Sequence, residues 1–469
     1  MILRLVTAIA GMQIVICTGL AGAQTHSVEL ADTTFSSEYR VEVDLERPRR
    51  ALITARIKPG ERGLCLTRSA ADTGLTHGWA TFVYELVVEN SNGEPVSARY
   101  DGDGCWTLES ESTVTAQYSI LLQHDRFPNM PGDDELAYAG DWGQFWTGRA
   151  LFVEGLPAEN IRVEFSLPQG WIVTAPWPQA EGDASFSFAP SDNDALLDSG
   201  FMLGTHESRI FNQGEARVHI GLAGAGPSAR GDLIEQTLTD ALVSFDALHG
   251  GAPTGDLAVF LAHGRSFGGG VMGRTISMLV TDGDVPDSVM PILSYIVIHE
   301  AFHLWNANLN YNDQSQMYWF AEGFAEYFTH LHMHETGLLD RETLRARFET
   351  RANRYEDAIG PMSMMEVGQE KLDNYDLIYS GGMMAALALD MHILQASNGE
   401  HRLREVMPVL FSSYGAEADV ALDHNRFASL IEEETGVNVL DILRQNVEGT
   451  QTIPTAELID QLMGATLSE

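Results

Sequence analysis

The sequence predicts a multidomain α+β protein, with a β-sandwich first, an α/β segment next and a helical part last. Three observations carry this. Residues 24–205 run strand after strand with no helix-length amphipathic stretch between them. Residues 206–335 alternate strand with helix, and in residues 336–469 apolar side chains recur at helical spacing. A chain of 469 residues is long enough for two or three such domains.

Composition narrows the function. Apolar residues make up 44% and charged residues 20%, a globular rather than a disordered balance. Lys and Arg number 28 against 66 Asp and Glu, a net charge of −38. Phosphate backbones and anionic headgroups would repel such a chain, so nucleic acid and membrane surfaces are not expected partners. Residues 1–23 read as a signal peptide, with Arg4 in the basic region, an apolar run from Leu5 to Leu20 and Ala21-Gly22-Ala23 before Gln24. Gly11, Gln13 and Thr18 interrupt that run, which argues against a membrane anchor, and the residues before Cys17 make a poor lipoprotein box. No later stretch reads as long and apolar enough to cross a bilayer. The mature protein is therefore expected to be exported, periplasmic or secreted, with no anchor after signal cleavage. It then keeps two cysteines, Cys65 and Cys105, for which one disulfide is expected and two free buried thiols are the other reading.

Within 24–205, Tyr39–Leu45 alternates as a half-buried strand does, and Phe82–Val88 and Thr113–Leu122 read as further strands. Asn92-Gly93 is a hairpin-type turn, and Asn160–Pro176 reads as two strands joined through Pro168-Gln169-Gly170. After residue 206 come a strand (Arg217–Leu222), an amphipathic helix (Asp232–Leu248) and another strand (Leu257–Ala262). The glycine-rich loop Phe267–Gly273 could cradle phosphate, but neither a Lys-Ser/Thr nor an obvious helix start follows it.

The chemistry concentrates in the next stretch. His299-Glu300-Ala301-Phe302-His303 lies on a predicted helix that has no Gly or Pro after Pro291 and is apolar nearly all round, hence buried. Four-residue spacing puts His299 and His303 on one face about one turn apart, able to bind one tetrahedral metal, with Glu300 placed to take a proton from an attacking water. Eighteen residues separate His303 from Glu322, and His, His, Glu plus one open position is a standard set for catalytic Zn2+. The segment Asn308–Ser315, rich in Asn, Asp and Ser, suits the turn that would return a second helix to the first. His330, His332 and His334 could suggest a second metal cluster, but alternate spacing scatters them round a helix, so they read as a solvated face. Helices are expected over Asp340–Tyr355, Gly382–Ala396, His401–Leu410 and Phe427–Glu434.

His299–Asn306 (HEAFHLWN) followed by Trp319–Tyr327 (WFAEGFAEY) resembles the gluzincin zinc metallopeptidases, the glycyl-aminopeptidase-like family more than aminopeptidase N. The resemblance implies His299, His303 and Glu322 as ligands of one zinc per chain and Glu300 as general base. It implies a thermolysin-like zincin catalytic domain over 206–335, preceded by the family's amino-terminal domain, which Leu196 to Gly204 closes, and followed by a helical domain (336–469) that completes the active site. Glu326, a rival ligand one turn after Glu322, better fits the carboxylate that orients a ligand histidine. Gly269, Gly270, Val271 and Met272 resemble the family's cleft-lining Gly-x-Met-Glu-Asn or Gly-Gly-Leu-Glu-His motif, with Met272 where a glutamate would bind a substrate's amino group. Tyr379-Ser380-Gly381-Gly382 resembles the Tyr-Glu-Lys-Gly-like motif whose tyrosine stabilises the oxyanion, with Gly381 in the lysine's place. Tyr375 is the alternative donor, and either tyrosine could simply pack. The resemblance implies a peptidase with a peptide substrate. Alternatives are a catalytically silent peptide-binding protein of the same fold, and an endopeptidase or amidase rather than an aminopeptidase. Oligomeric state has no signal.

Overall fold

Period-two alternation builds the first half. In Ser37–Val43 the side chains of Tyr39, Val41 and Val43 turn inward. That strand pairs antiparallel with Arg50–Ile57 and parallel with Ile161–Ser166. The resulting six-stranded sheet runs Ser187–Phe188, Ile161–Ser166, Ser37–Val43, Arg50–Ile57, Val114–Leu121, Val83–Asn90. A second sheet, ordered Ile172–Thr174, Gly200–Gly204, Gly143–Thr147, Tyr138–Gly140, shares its core, where Val41, Ile53, Ile120 and Phe165 meet Trp146, Phe201 and Leu203. The computed structural model describes residues 35–68, 77–122, 137–156, 160–180, 186–251, 253–264, 268–281, 290–371, 373–416 and 418–465; the expected signal peptide and Phe267 lie outside them.

The two strands expected across Asn160–Pro176 form, but in different sheets. The turn in which Trp171 N donates to Pro168 O (3.1 Å), with Gly170 at φ +86°, carries the chain from one sheet to the other. Cys65 and Cys105 sit opposite each other in a small three-stranded sheet and are joined in a disulfide.

The third layer is a five-stranded sheet ordered Glu207–Gln213, Ala216–Ala223, Gly255–Gly264, Thr275–Thr281, Gly268–Met272. Its inner pairs are parallel and both edge strands antiparallel. The apolar run of the central strand serves both faces, as burial on two sides requires. Ala258, Phe260 and Ala262 pack on Phe145 and Met202 of the second sheet. Leu257, Val259 and Leu261 pack with the helices Gly231–His249 and Met290–Asn306. The glycine-rich stretch is thus an edge strand for Gly268–Met272 rather than a loop. Its backbone lies so close to the helix that a Cβ at Gly269 would come within 2.7 Å of Ile296 Cγ2.

Tyr318–Glu335 follows, then Arg341–Ala358, capped by the Asp340 carboxylate on Thr343 N (2.7 Å), and Tyr375–Ala396. Met407–Tyr414, His424–Thr435 and Thr455–Ala465 complete the helical part. Three sequence expectations fail here. His330 and His332 are each only 3% exposed and His334 is half-buried, so they form no solvated face. Helix Tyr318–Glu335 is enclosed by its neighbours, with His332 against Phe245 and His330 against Tyr295 and Phe348. The helix expected from Gly382 begins at Tyr375, because Gly382 marks a close helix crossing rather than a helix start: a Cβ on Gly382 would lie 2.1 Å from Trp319 O. That same helix is long and apolar enough to cross a membrane by length and composition, contrary to the sequence reading, but 83% of its apolar window is buried inside the protein.

Candidate metal centre

The helix Met290–Asn306 brings His299 and His303 to one face, and Tyr318–Glu335, returning beside it, lays Glu322 against both. Three atoms form a triangle. His299 Nε2 and His303 Nε2 are 3.2 Å apart, and Glu322 Oε2 is 3.4 Å from the first and 3.2 Å from the second. A tetrahedral ion with bonds of about 2.05 Å spans ligand–ligand edges of about 3.3 Å. The donor set therefore fits zinc in both chemistry and spacing, and it is the only such cluster among the described residues. All three side chains are buried, at 5%, 8% and 6% exposure.

Supporting groups fix these donors. Asn306 Nδ2 donates to Ala321 O (2.7 Å), which turns its Oδ1 toward His303 Nδ1 (2.8 Å). That orientation places the proton on Nδ1 and leaves the Nε2 lone pair for the triangle. Glu322 divides its oxygens, with Oε2 in the triangle and Oε1 accepting from Lys371 Nζ at 2.5 Å. The Lys371 ammonium also lies over the rings of Tyr318 (4.8 Å) and Tyr379 (5.4 Å). Burial would raise the Glu322 pKa, but Lys371 and His303 outweigh it and hold the carboxyl well below its usual range. Burial would lower the His303 pKa, but Glu322, Glu300 and Asn306 reverse this and raise it to about 9, so the site favours positive charge. Burial likewise raises the Glu300 pKa, against the pull of the two histidines.

Glu326 stands outside the triangle. Its Oε1 is 3.9 Å from His299 Nδ1, the ring nitrogen facing away from Glu322 Oε2, so it lies behind that histidine and beyond hydrogen-bond reach. It accepts instead from Arg351 Nη2 (2.5 Å) and from the Tyr295 hydroxyl. His299 Nδ1 itself is buried without a partner. Tyr379 is half-buried and nearly parallel to the His299 ring, with centroids 6.1 Å apart. Burial and the carboxylates of Glu322 and Glu300 push its pKa well up, which keeps it a proton donor. Tyr375 stacks on Tyr379 at 4.0 Å but is exposed and turns its hydroxyl to Arg351. Along the edge strand, the Gly269 α-carbon faces Glu300, and a Cβ there would lie 3.2 Å from Glu300 Cγ. Strand alternation puts Val271 on that same face. Gly270 and Met272 fall on the other, with Met272 buried across from Thr275, whose hydroxyl meets Gly200 of the second sheet.

Sequence reading missed four of these residues. Asn306 carried a signal, since it follows His303 by three positions and so shares its side of the helix. Lys371, Tyr295 and Arg351 carried none, because each acts across a tertiary contact.

Residues 36–205 match the family model for the peptidase M61 N-terminal domain, and residues 293–380 match M61 glycyl aminopeptidase. The second match spans all three triangle residues, Glu300 and Tyr379. No curated protein matches the chain. Among solved structures, an aminopeptidase N family protein from Idiomarina loihiensis superposes with a TM-score of 0.74 at 19% identity, over 90% of this chain and 78% of that one. The M1 zinc metallopeptidase from Deinococcus radiodurans superposes at 0.55 and 15% identity, over 89% and 94%. A variant of it bound to a Tyr-Ser-Ala substrate gives 0.55 and 16%, over the same shares. At these identities the likeness speaks for the fold, a multidomain α+β arrangement with a β-rich amino-terminal domain and a helical carboxy-terminal region.

Proposed function

The chain belongs to the M61 glycyl aminopeptidase family, and from that premise we propose that it is an exported zinc-dependent peptidase holding one ion per chain among His299, His303 and Glu322. The observation that carries this reading is the near-equilateral triangle of buried donor atoms, 3.2, 3.2 and 3.4 Å on its sides. Bound there, zinc would supply Lewis-acid polarisation of the scissile carbonyl and of the attacking water.

The chain's own residues do the rest. Glu300 accepts the water's proton on its carboxylate and returns it to the departing amine nitrogen. Tyr379 donates its hydroxyl proton in a hydrogen bond to the oxyanion that develops on the carbonyl. Lys371 holds Glu322 Oε1 so that Oε2 alone faces the triangle, and Asn306 holds the His303 tautomer. Glu326, anchored by Arg351 and Tyr295, places negative charge behind His299. A thermolysin-like organisation of residues 206–335, between 24–205 and 336–469, is part of the same proposal. The mixed five-stranded sheet packed on the active-site helix supports it.

One observation favours cleavage that ignores a free amino terminus. The cleft-lining place that the resemblance implies for Met272 does not fit its burial on the sheet face away from the active-site helix, and the positions of that strand that face the helix, Gly269 and Val271, carry no carboxylate. An endopeptidase or amidase is thus the reading we favour over a strict aminopeptidase. The test of the proposal is hydrolysis of a peptide library by the mature protein before and after chelation. Loss of cleavage, restored by one equivalent of zinc, is expected; cleavage that persists in protein shown to be metal-free overturns the proposal.

A further inference from the structure

We propose that Lys371, besides holding Glu322, is a catalytic residue that donates an N–H to the oxyanion developing on the scissile carbonyl, a second donor beside Tyr379. The inference rests on the peptidase reading above.

The residue type is the first argument. Of the chain's 28 basic residues only two are lysines, Lys58 and Lys371. Other buried carboxylates of the helical part are held by arginine: Arg351 meets Glu326 at 2.5 Å, and Arg402 meets Asp390 at 2.6 Å. A guanidinium fork matches both oxygens of a carboxylate, whereas an ammonium is a compact point charge with three donors. Lys371 Nζ takes Glu322 Oε1 alone, at 2.5 Å, and among the described residues makes no other hydrogen bond. Two N–H groups are left for a further acceptor. A quarter of the Lys371 side chain stays open to solvent, against 7% for Glu322.

Charge is the second argument. Glu322 and Glu300 balance the two charges of a divalent ion when both histidines are neutral, as metal ligands are. Glu326 and Arg351 cancel each other behind His299. Lys371 is the charge left over, and it gives the site a positive balance that suits an anion. In a chain with 66 acidic residues that balance has to be built locally.

Position is the third. The charge on Nζ acts on Glu300 as well as on Glu322. The rings of Tyr318 and Tyr379 flank it at 4.8 and 5.4 Å, and the Tyr379 hydroxyl reaches the same Glu322 carboxylate. Lys371 thus stands with the two groups that act on the reacting carbonyl. Its backbone is seated as well. The turn Glu366–Glu370 before it lies so close to the connection between the two site helices that a Cβ on Gly368 would stand 1.8 Å from Ser315 O. A donor held in this way needs no reorganisation when charge develops. The ammonium keeps its proton throughout and only donates a hydrogen bond.

The test uses the scarcity of lysine. In full-length, zinc-loaded protein labelled with 15N at lysine Nζ, K58R, at an exposed position, leaves Lys371 as the one lysine signal. A phosphinic peptide, whose tetrahedral anion imitates the oxyanion and is not cleaved, should shift that signal. Calorimetry then compares K371M with wild type at equal zinc content. The phosphinic peptide should bind about tenfold or more weaker to K371M. The matched amide peptide, measured in E300Q and E300Q/K371M so that it stays whole, should change by less than about twofold, because the contact is made only as charge develops. An unmoved Lys371 signal overturns the proposal, as does an equal loss for both ligands or a loss for neither. If K371M fails to hold zinc, the NMR experiment decides by itself. Hydrolysis by the unsubstituted protein, followed in parallel, reports on the peptidase reading separately.

Discussion

Replacing Gly382 by alanine isolates the helix crossing that sets the active site. Gly382 and Gly323 face each other where Tyr375–Ala396 meets Tyr318–Glu335. A Cβ on residue 382 would stand 2.1 Å from Trp319 O and 2.9 Å from the Gly323 α-carbon. Ordinary heavy-atom contact is about 3.5 Å, so the helices must part by more than ~1 Å. Such overpacking costs about 1–3 kcal/mol, and the better helix propensity of alanine returns about 1 kcal/mol. Net destabilisation should therefore stay at or below about 2 kcal/mol. Activity should suffer far more. Glu322 precedes Gly323 directly and Tyr379 lies one turn before Gly382, so parting the helices moves the proposed metal ligand away from the proposed oxyanion donor. A misplacement of that size costs about a hundredfold. Thermal denaturation and kcat/KM on one peptide measure the two effects. G464A is the control, since a Cβ there meets nothing within 4 Å; it should leave kcat/KM unchanged. G382A with wild-type kcat/KM would refute the claim that this crossing sets the geometry.

Two further outcomes follow from the site. K371M removes the donor to Glu322 Oε1, and apparent zinc affinity measured by chelator competition should fall by about 10–100-fold; unchanged affinity would make the 2.5 Å contact incidental. Acetylating the substrate's amino terminus should change kcat/KM by less than about tenfold, because among the described residues the edge strand Gly268–Met272 offers no carboxylate to an ammonium. Charge-assisted recognition would be worth about 1.5–3 kcal/mol, and a hundredfold preference for the free terminus would reveal an acid that does that work.

The metal triangle was legible because helix geometry turns a four-residue spacing into proximity without knowledge of the rest of the fold. Glu322 was legible for a related reason: the polar turn Asn308–Ser315 separates two helices that have to pack. The β-rich half followed from alternation, and the α/β segment from the change of period. What failed depended on tertiary contact. The sequence reading started this helix only at Gly382, and only the opposing backbone at Trp319 and Gly323 explains that glycine inside a longer helix. His330 and His332 look solvated until the surrounding helices are in place. Tyr375–Ala396 is apolar because other helices surround it, and its sequence does not distinguish that from a lipid surround. Lys371 lies 49 residues from Glu322, and no local pattern predicts that such a lysine will find a metal ligand.

The most direct test of the central claim is peptide hydrolysis by E300Q loaded with zinc and compared with wild type at equal metal content. Glutamine preserves the size of the side chain against Gly269 but accepts no proton. The account predicts about one zinc retained per chain, an unchanged melting temperature, and turnover reduced by at least about a hundredfold. A zinc-loaded E300Q retaining a tenth or more of wild-type turnover would contradict it.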